Sequence, residues 1–232
     1  MQLIGKTIGP GHPAYLIAEI GQNHNGDAYH AVRLIQMAEA CGVDAVKLQA
    51  RSCVEEFSQH KLDAPYSGRN SFGATYREHR LALDLTPENF RHLKERHRYN
   101  QNTAALFTTV CAVSWVQWLE ENDWCGFYKL ASKDLQNLEL VRALADTGKP
   151  LIMSTGMADS LADIERPYAV ATKKCPVALM HCVSTYPVAH EEVSLQCIDT
   201  LRQNFGGPVG YSDHSAGVKA PVTAALRFAA DV

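Results

Sequence analysis

The run GFYKLASKDLQNLELVRALADTGKPLIMSTG, residues 126–156, decides the fold. It opens on a short apolar segment, Gly126–Leu130, which reads as a buried strand. Leu138, Val141, Leu144 and Ala145 then recur at helical spacing through Leu138–Thr147. Gly148 closes that helix, and Pro150 lies just beyond it, the usual punctuation of a helix C-terminus. A second apolar strand, Leu151–Ser154, follows at once. Strand, helix and strand in so short a stretch make a β-α-β unit with parallel strands.

The same alternation runs outward in both directions. Upstream, Tyr15–Ile20 reads as a strand and Gly21–Gly26 as a loop. Asp27 is placed to cap a helix that carries Ala31, Leu34, Ile35 and Ala38 and stops at Gly42. Ala45–Gln49 is a strand. Arg51–Leu85 is a polar excursion without a clear period. Thr86-Pro87 opens a helix, Ala104–Thr108 is a strand and Val113–Glu121 a helix. Downstream, Leu161–Thr172 reads as a helix that Pro167 should kink or split. Val177–His181 is a strand, Leu195–Asn204 a helix, Val209–Ser212 a strand and Val218–Ala229 a helix with Pro221 near its start. Seven β-α units predict an α/β fold, a (β/α)8 TIM barrel lacking most of its eighth β-α unit. A doubly wound sheet is the alternative, but Gly21-Gln22-Asn23-His24-Asn25-Gly26 is not the Gly-x-Gly-x-x-Gly phosphate loop.

Composition narrows the function. The 232 residues carry 22 Lys+Arg against 25 Asp+Glu, a net charge of -3, with no basic block, so nucleic acid is not the expected partner. No stretch nears the ~18 uninterrupted apolar residues of a membrane span. The opening residues lack the apolar segment of a secretory signal. Seven cysteines, an odd number without Cys-x-x-Cys, argue against a disulfide framework or structural zinc site and fit a reducing cytoplasm. One domain, residues 1–232, accommodates this length.

Each strand ends in polar residues. In order these are Glu19 with Asn23 and His24, then Lys47 and Gln49, then Thr108 and Thr109. Lys129 with Ser132 and Asp134 follows, then Ser154 and Thr155, then His181 with Ser184 and Tyr186, then Ser212, Asp213 and His214. In a barrel such ends meet on the face that holds the active site. Two lysines among hydroxyls suit an anion, a phosphate or carboxylate. Glu19 and Asp134 have acid–base chemistry, and His214 could ligate a metal. Taken singly, each has an ordinary structural reading. A lysine can be an ion-pair partner, His181 a packing residue, and Asn23, His24 and Asn25 the fittings of a tight turn.

Six ordered segments resemble the N-acetylneuraminate (sialic acid) synthase family. They are Ile17–Asp27, Asp44–Gln49, Lys129–Ser132, Gly148–Met157, His181–Pro187 and Gly210–Gly217. The resemblance implies a barrel enzyme that condenses phosphoenolpyruvate with an N-acetylated hexose such as N-acetylmannosamine, giving a nonulosonic acid and phosphate. It implies that Lys47, Thr109, Lys129, Ser132, Ser154, Ser184 and Ser212 hold phosphoenolpyruvate, that Tyr186 lies near the sugar and that Glu19 orients reacting groups. Asp134 falls where the family places a catalytic carboxylate. A divalent metal, Mn2+ before Mg2+ or Co2+, would take His214 as one ligand. The family's eighth strand, with a second histidine ligand, and its antifreeze-like domain, which completes the site across a homodimer, are both expected to be missing here. Two further readings stay open: a relative that binds these ligands without turnover, and a Schiff-base aldolase.

Overall fold

The protein is described by a computed structural model covering residues 1–99 and 104–229. These fall into two compact units. One is Leu16–Cys125; the other joins Met1–Tyr15 to the chain from Gly126 onward. The chain starts with a small antiparallel hairpin, β1 (Gln2–Leu3) and β2 (Lys6–Thr7), which belongs to the second of these.

The Leu16–Cys125 unit is built on three parallel strands: β3 (Ile17–Glu19), β4 (Ala45–Ala50) and β5 (Ala105–Val110). In β4 the apolar side chains Ala45, Val46, Leu48 and Ala50 are wholly buried, as expected for a parallel strand covered on both faces. Between β3 and β4 lies α1 (Ala28–Ala40). Its cap is Asp27, whose carboxylate accepts the Tyr29 and His30 N–H groups at 2.8 and 3.1 Å. Gly42, at φ +78°, follows its end.

The excursion after β4 does contain helices, contrary to the sequence reading. They are α2 (Cys53–Glu56), α3 (Gln59–Asp63) and α4 (Tyr76–Leu83). The first two are too short to show a 3.6-residue period, which explains the miss. Side-chain chemistry holds them instead. Thr75 and Glu78 form a reciprocal capping box at α4. Tyr66 lies over His79 with centroids 4.4 Å apart, Phe57 meets Tyr76 edge-on, and the Lys61 ammonium sits 4.8 Å from the Tyr76 centroid. Helix α5 (Pro87–Tyr99) begins with Pro in the first position, as predicted. Phe90 packs between Trp115 and Trp124 at 4.8 and 4.7 Å, tying α5 to α6 (Val113–Glu121).

In the other unit four parallel strands pair in chain order: β6 (Tyr128–Leu130), β7 (Leu151–Ser154), β8 (Val177–His181) and β9 (Val209–Tyr211). Between them run α7 (Leu138–Asp146), α8 (Leu161–Thr172) and α9 (Cys197–Phe205), and α10 (Lys219–Ala229) follows β9. The N-terminal arm joins this unit through Tyr15, edge-on to Phe127, and through Ile4 beside Gly126.

Pro167 does not split α8, which runs unbroken from Leu161 to Thr172. Proline removes the N–H that would bond the Asp163 carbonyl. Here the Gln136 side-chain amide donates to that carbonyl at 2.6 Å, so the orphaned acceptor is satisfied from α7's leading loop. The closing residues 230–232, expected to open an eighth strand, lie outside the described residues. No helix among the described residues is long and apolar enough to cross a membrane.

Candidate functional site

In the Leu16–Cys125 unit the register of β3, β4 and β5 sets Glu19 opposite Lys47 and Gln49 opposite Thr109. Lys47 is 6% exposed. Its ammonium donates to Thr109 Oγ1 at 2.6 Å and is ion-paired with Glu19, whose side chain is 47% exposed. A buried lysine thus meets one fixed hydroxyl and one half-hydrated carboxylate. A buried cation whose counter-ion is half exposed is suited to an incoming anion. Thr108 turns instead to the Thr109 carbonyl.

The turn after β3 takes the structural role open to it in the sequence. Asn23, Asn25 and Asp27 N–H groups bond the carbonyls of Ile20, Gln22 and His24 in successive turns. His24 is buried, and its Nδ1 accepts the Gly26 N–H at 3.0 Å. Burial holds its imidazole below the ordinary value of 6.5.

In the other unit Lys129, 8% exposed, donates to Ser154 Oγ at 2.6 Å. This repeats the lysine–hydroxyl pair of Lys47 and Thr109. Ser132 Oγ accepts the Gly156 N–H at 3.1 Å and lies 3.2 Å from Cys182 Sγ. Gly156 fits there because it has no side chain. A Cβ would stand 2.6 Å from Cys182 Sγ and 2.8 Å from Ser184 Oγ. Ser132, Gly156, Cys182 and Ser184 therefore form one tight cluster at the ends of β7 and β8. Asp134, 8% exposed, closes the one-turn helix Ser132–Asp134 and takes both its oxygens to Lys133 at 2.8 and 2.9 Å. Ser212 is fixed through its backbone, which donates to the His181 carbonyl at 2.9 Å. His181 itself is a packing residue, with Nε2 2.7 Å from the Val193 carbonyl.

Tyr186 and His214 are stacked with centroids 4.1 Å apart. His214 Nδ1 lies 2.5 Å from the Val183 carbonyl, so it carries the proton and donates. Nε2 then bears the lone pair and accepts from the Tyr186 hydroxyl at 2.8 Å. Asp213 braces this loop by accepting from Tyr211 and from the Ser215 N–H. Burial, then the Asp213 bond, pushes the Tyr211 phenol well up. A carbonyl on one imidazole nitrogen and a lone pair on the other is the arrangement of a metal-ligating histidine. His214 fits one ligand on that ground. Among the described residues no group of three His, Cys, Asp or Glu gathers around a metal position.

The sequence profile of the NeuB family matches residues 34–232. The chain belongs to the NeuB family. Among NeuB relatives, human N-acetylneuraminate-9-phosphate synthase is 34% identical over 95% of this chain and 61% of its own length. The N,N'-diacetyllegionaminic acid synthase of Legionella pneumophila is 32% identical over 94% of this chain and 62% of its own. The chain thus spans about six-tenths of the length of these curated relatives. The crystal structure of the Leptospira borgpetersenii sialic acid synthetase, a complex with citrate, superposes with a TM-score of 0.83 at 32% identity. It covers 97% of this chain and 73% of that one.

Two features of the NeuB chain escaped the sequence reading. Cys182 and Gly156 complete the serine cluster, and only the missing side chain in Ser154-Thr155-Gly156 hinted at a close approach there. Gln22, Arg80 and Asp84 form a partly buried ring; Arg80 and Asp84 are a local i,i+4 pair, but the link to Gln22 spans 58 residues and leaves no local signal.

Proposed function

We propose that this chain condenses phosphoenolpyruvate with an N-acetylated hexose, N-acetylmannosamine or a related acetamido sugar, to give a nonulosonic acid and phosphate. The observation that carries the reading is the repeated pair of a buried lysine on a strand-end hydroxyl, Lys47 on Thr109 and Lys129 on Ser154. Each ammonium is buried and donates to a hydroxyl at a strand end, where a fixed cation can meet an anionic ligand. The likeness to an N-acetylneuraminate-9-phosphate synthase and an N,N'-diacetyllegionaminic acid synthase supports the reading.

In this mechanism the methylene carbon of phosphoenolpyruvate bonds to the sugar aldehyde carbon. Water adds to the adjacent carbon, and the intermediate breaks its C–O bond to release phosphate. Lys47 and Lys129 hold the phosphate and carboxylate and oppose the charge that grows on the departing phosphate. Ser132, Ser154, Ser184 and Ser212, in the unit that carries Lys129, supply short donors to an anion there. Asp134 takes the proton of the attacking water. Glu19 orients the Lys47 ammonium, and Tyr186 packs against the sugar. A divalent cation, Mn2+ before Mg2+ or Co2+, would be held in part by His214 and would polarise the aldehyde as a Lewis acid.

The test is phosphate release from phosphoenolpyruvate in the presence of N-acetylmannosamine and Mn2+. Lys129→Ala should abolish it; turnover retained in that variant refutes the lysine's role. Phosphoenolpyruvate binding without turnover would mark a non-catalytic relative. Borohydride trapping of pyruvate on Lys47 or Lys129 would mark a Schiff-base aldolase.

A further inference from the structure

Arg80 is 4% exposed and lies on α4, in the excursion after β4. One arm of its guanidinium donates to Gln22 Oε1 at 3.0 Å, and the other is ion-paired with Asp84. Gln22 Nε2 closes the ring by donating to Asp84 Oδ1 at 3.3 Å. The ring is costly. Burial pushes the Asp84 carboxyl up, against the charges of Arg80 and Arg51. Arg80 Nε is buried without a hydrogen-bond partner. Such an orphaned donor calls for an explanation beyond surface pairing.

What the ring fixes is the turn after β3. Gly26, at φ +79°, sits so close to α4 that a Cβ would overlap the Ala82 carbonyl oxygen. At the other end of the turn, the Ile20 N–H bonds the Lys47 carbonyl at 3.0 Å. Between them, the position of a Cβ on Gly21 is 3.2 Å from Glu19 Oε1 and 3.7 Å from Gln49 Nε2. The Gly21 backbone therefore lies beside the half-exposed carboxylate that pairs with Lys47. A continuous path runs from Arg80 to Gln22, to Gly21, to Glu19 and to the Lys47 ammonium.

We propose that Arg80 is a positioning residue, acting through Gln22 and the 20–26 turn to hold Glu19 against Lys47. Its relevance to phosphoenolpyruvate rests on the function proposed above; its effect on Lys47 does not. Arginine is needed because a planar fork reaches two acceptors at once, and lysine offers a single ammonium. The Gln22 amide is needed because it alone in the ring belongs to the turn.

The test is competitive acetylation of the lysines of the whole chain at pH 8, read residue by residue by mass spectrometry, in Arg80→Lys and Gln22→Ala. Gln22→Ala leaves the Arg80–Asp84 pair in place, so it guards against simple unfolding, and the circular dichroism of both variants is compared with the parent. Loss of a charge-assisted contact should raise Lys47 acetylation about fivefold, with the exposed Lys174 as unchanged internal control. Arg80→Lys should give a smaller rise. Under the proposed function, the Kd for phosphoenolpyruvate should rise in parallel. Unchanged Lys47 acetylation in both folded variants overturns the proposal. A rise in acetylation in a protein whose parent form binds no phosphoenolpyruvate would sustain the positioning role and refute the proposed function instead.

Discussion

Replacing Lys47 by Met separates a functional lysine from a structural one, because the two readings predict opposite sizes of effect. Breaking a wholly buried ion pair costs about 3–5 kcal/mol through the charge left behind. Here the charge left behind is Glu19, 47% exposed and therefore half hydrated, and methionine refills the space of the lysine stem. The lost bond to Thr109 adds about 1 kcal/mol. The total should be about 1–2 kcal/mol, or roughly 2–8 °C in Tm for a chain of this size. Glu19→Gln should cost more, because it strands the ammonium, 7% exposed, on one hydroxyl. The double variant should recover part of that loss, a coupling of about 1–3 kcal/mol in a double-mutant cycle. Binding should respond differently. A hydrogen bond to a charged group is worth about 1.5–3 kcal/mol, so phosphoenolpyruvate affinity should fall roughly 10- to 150-fold in Lys47→Met. Thermal unfolding and isothermal titration calorimetry read the two quantities. A Tm loss beyond about 12 °C with affinity unchanged would refute the reasoning and make Lys47 a structural residue.

Gln136→Ala removes the donor to the carbonyl that Pro167 orphans, so it should destabilise the chain by about 1–3 kcal/mol in urea unfolding; a Pro167→Ala background should reduce that cost, and an equal cost in both backgrounds would contradict the account. Acid should also destabilise the fold. Burial lowers the folded-state values of His24, His79 and His97 below 6.5, so the unfolded chain binds more protons than the native one as pH falls through that value. Stability is then level above about pH 7.5 and declines as pH drops from the ordinary histidine range toward the lowered values. Glu39 and Asp84, raised by burial, act in the opposite sense but in the carboxylate range. The urea midpoint should be lower at pH 6.0 than at pH 7.5, and equal midpoints would count against buried neutral imidazoles.

The elements legible in the sequence are those whose period had room to show. Val113–Glu121, Leu151–Ser154, Leu161–Thr172 and Val177–His181 stand at the bounds read from the sequence. Asp27 and Gly42 marked α1 correctly because capping chemistry is local. The excursion after β4 was opaque, since its helices run four to eight residues and are held by aromatic and ion-pair contacts between them. At the site, residue types were legible and partners were not. Two lysines among hydroxyls announced an anion, yet nothing in the order of residues said that Lys47 takes Thr109 or that Lys129 takes Ser154. Those pairings depend on strand register, which is set by long-range packing.

The division of the chain also dictates the order in which it can fold as it leaves the ribosome. Leu16–Cys125 is an unbroken length, so everything that unit needs has emerged once Cys125 is out. Met1–Tyr15 emerges before that unit, yet its partners, Phe127 for Tyr15 and Gly126 for Ile4, are made only after it. At typical synthesis rates of roughly 5–20 residues per second, the arm waits several seconds for them. A substitution that weakens the Tyr15–Phe127 contact would thus act on a segment that has to wait for its partner.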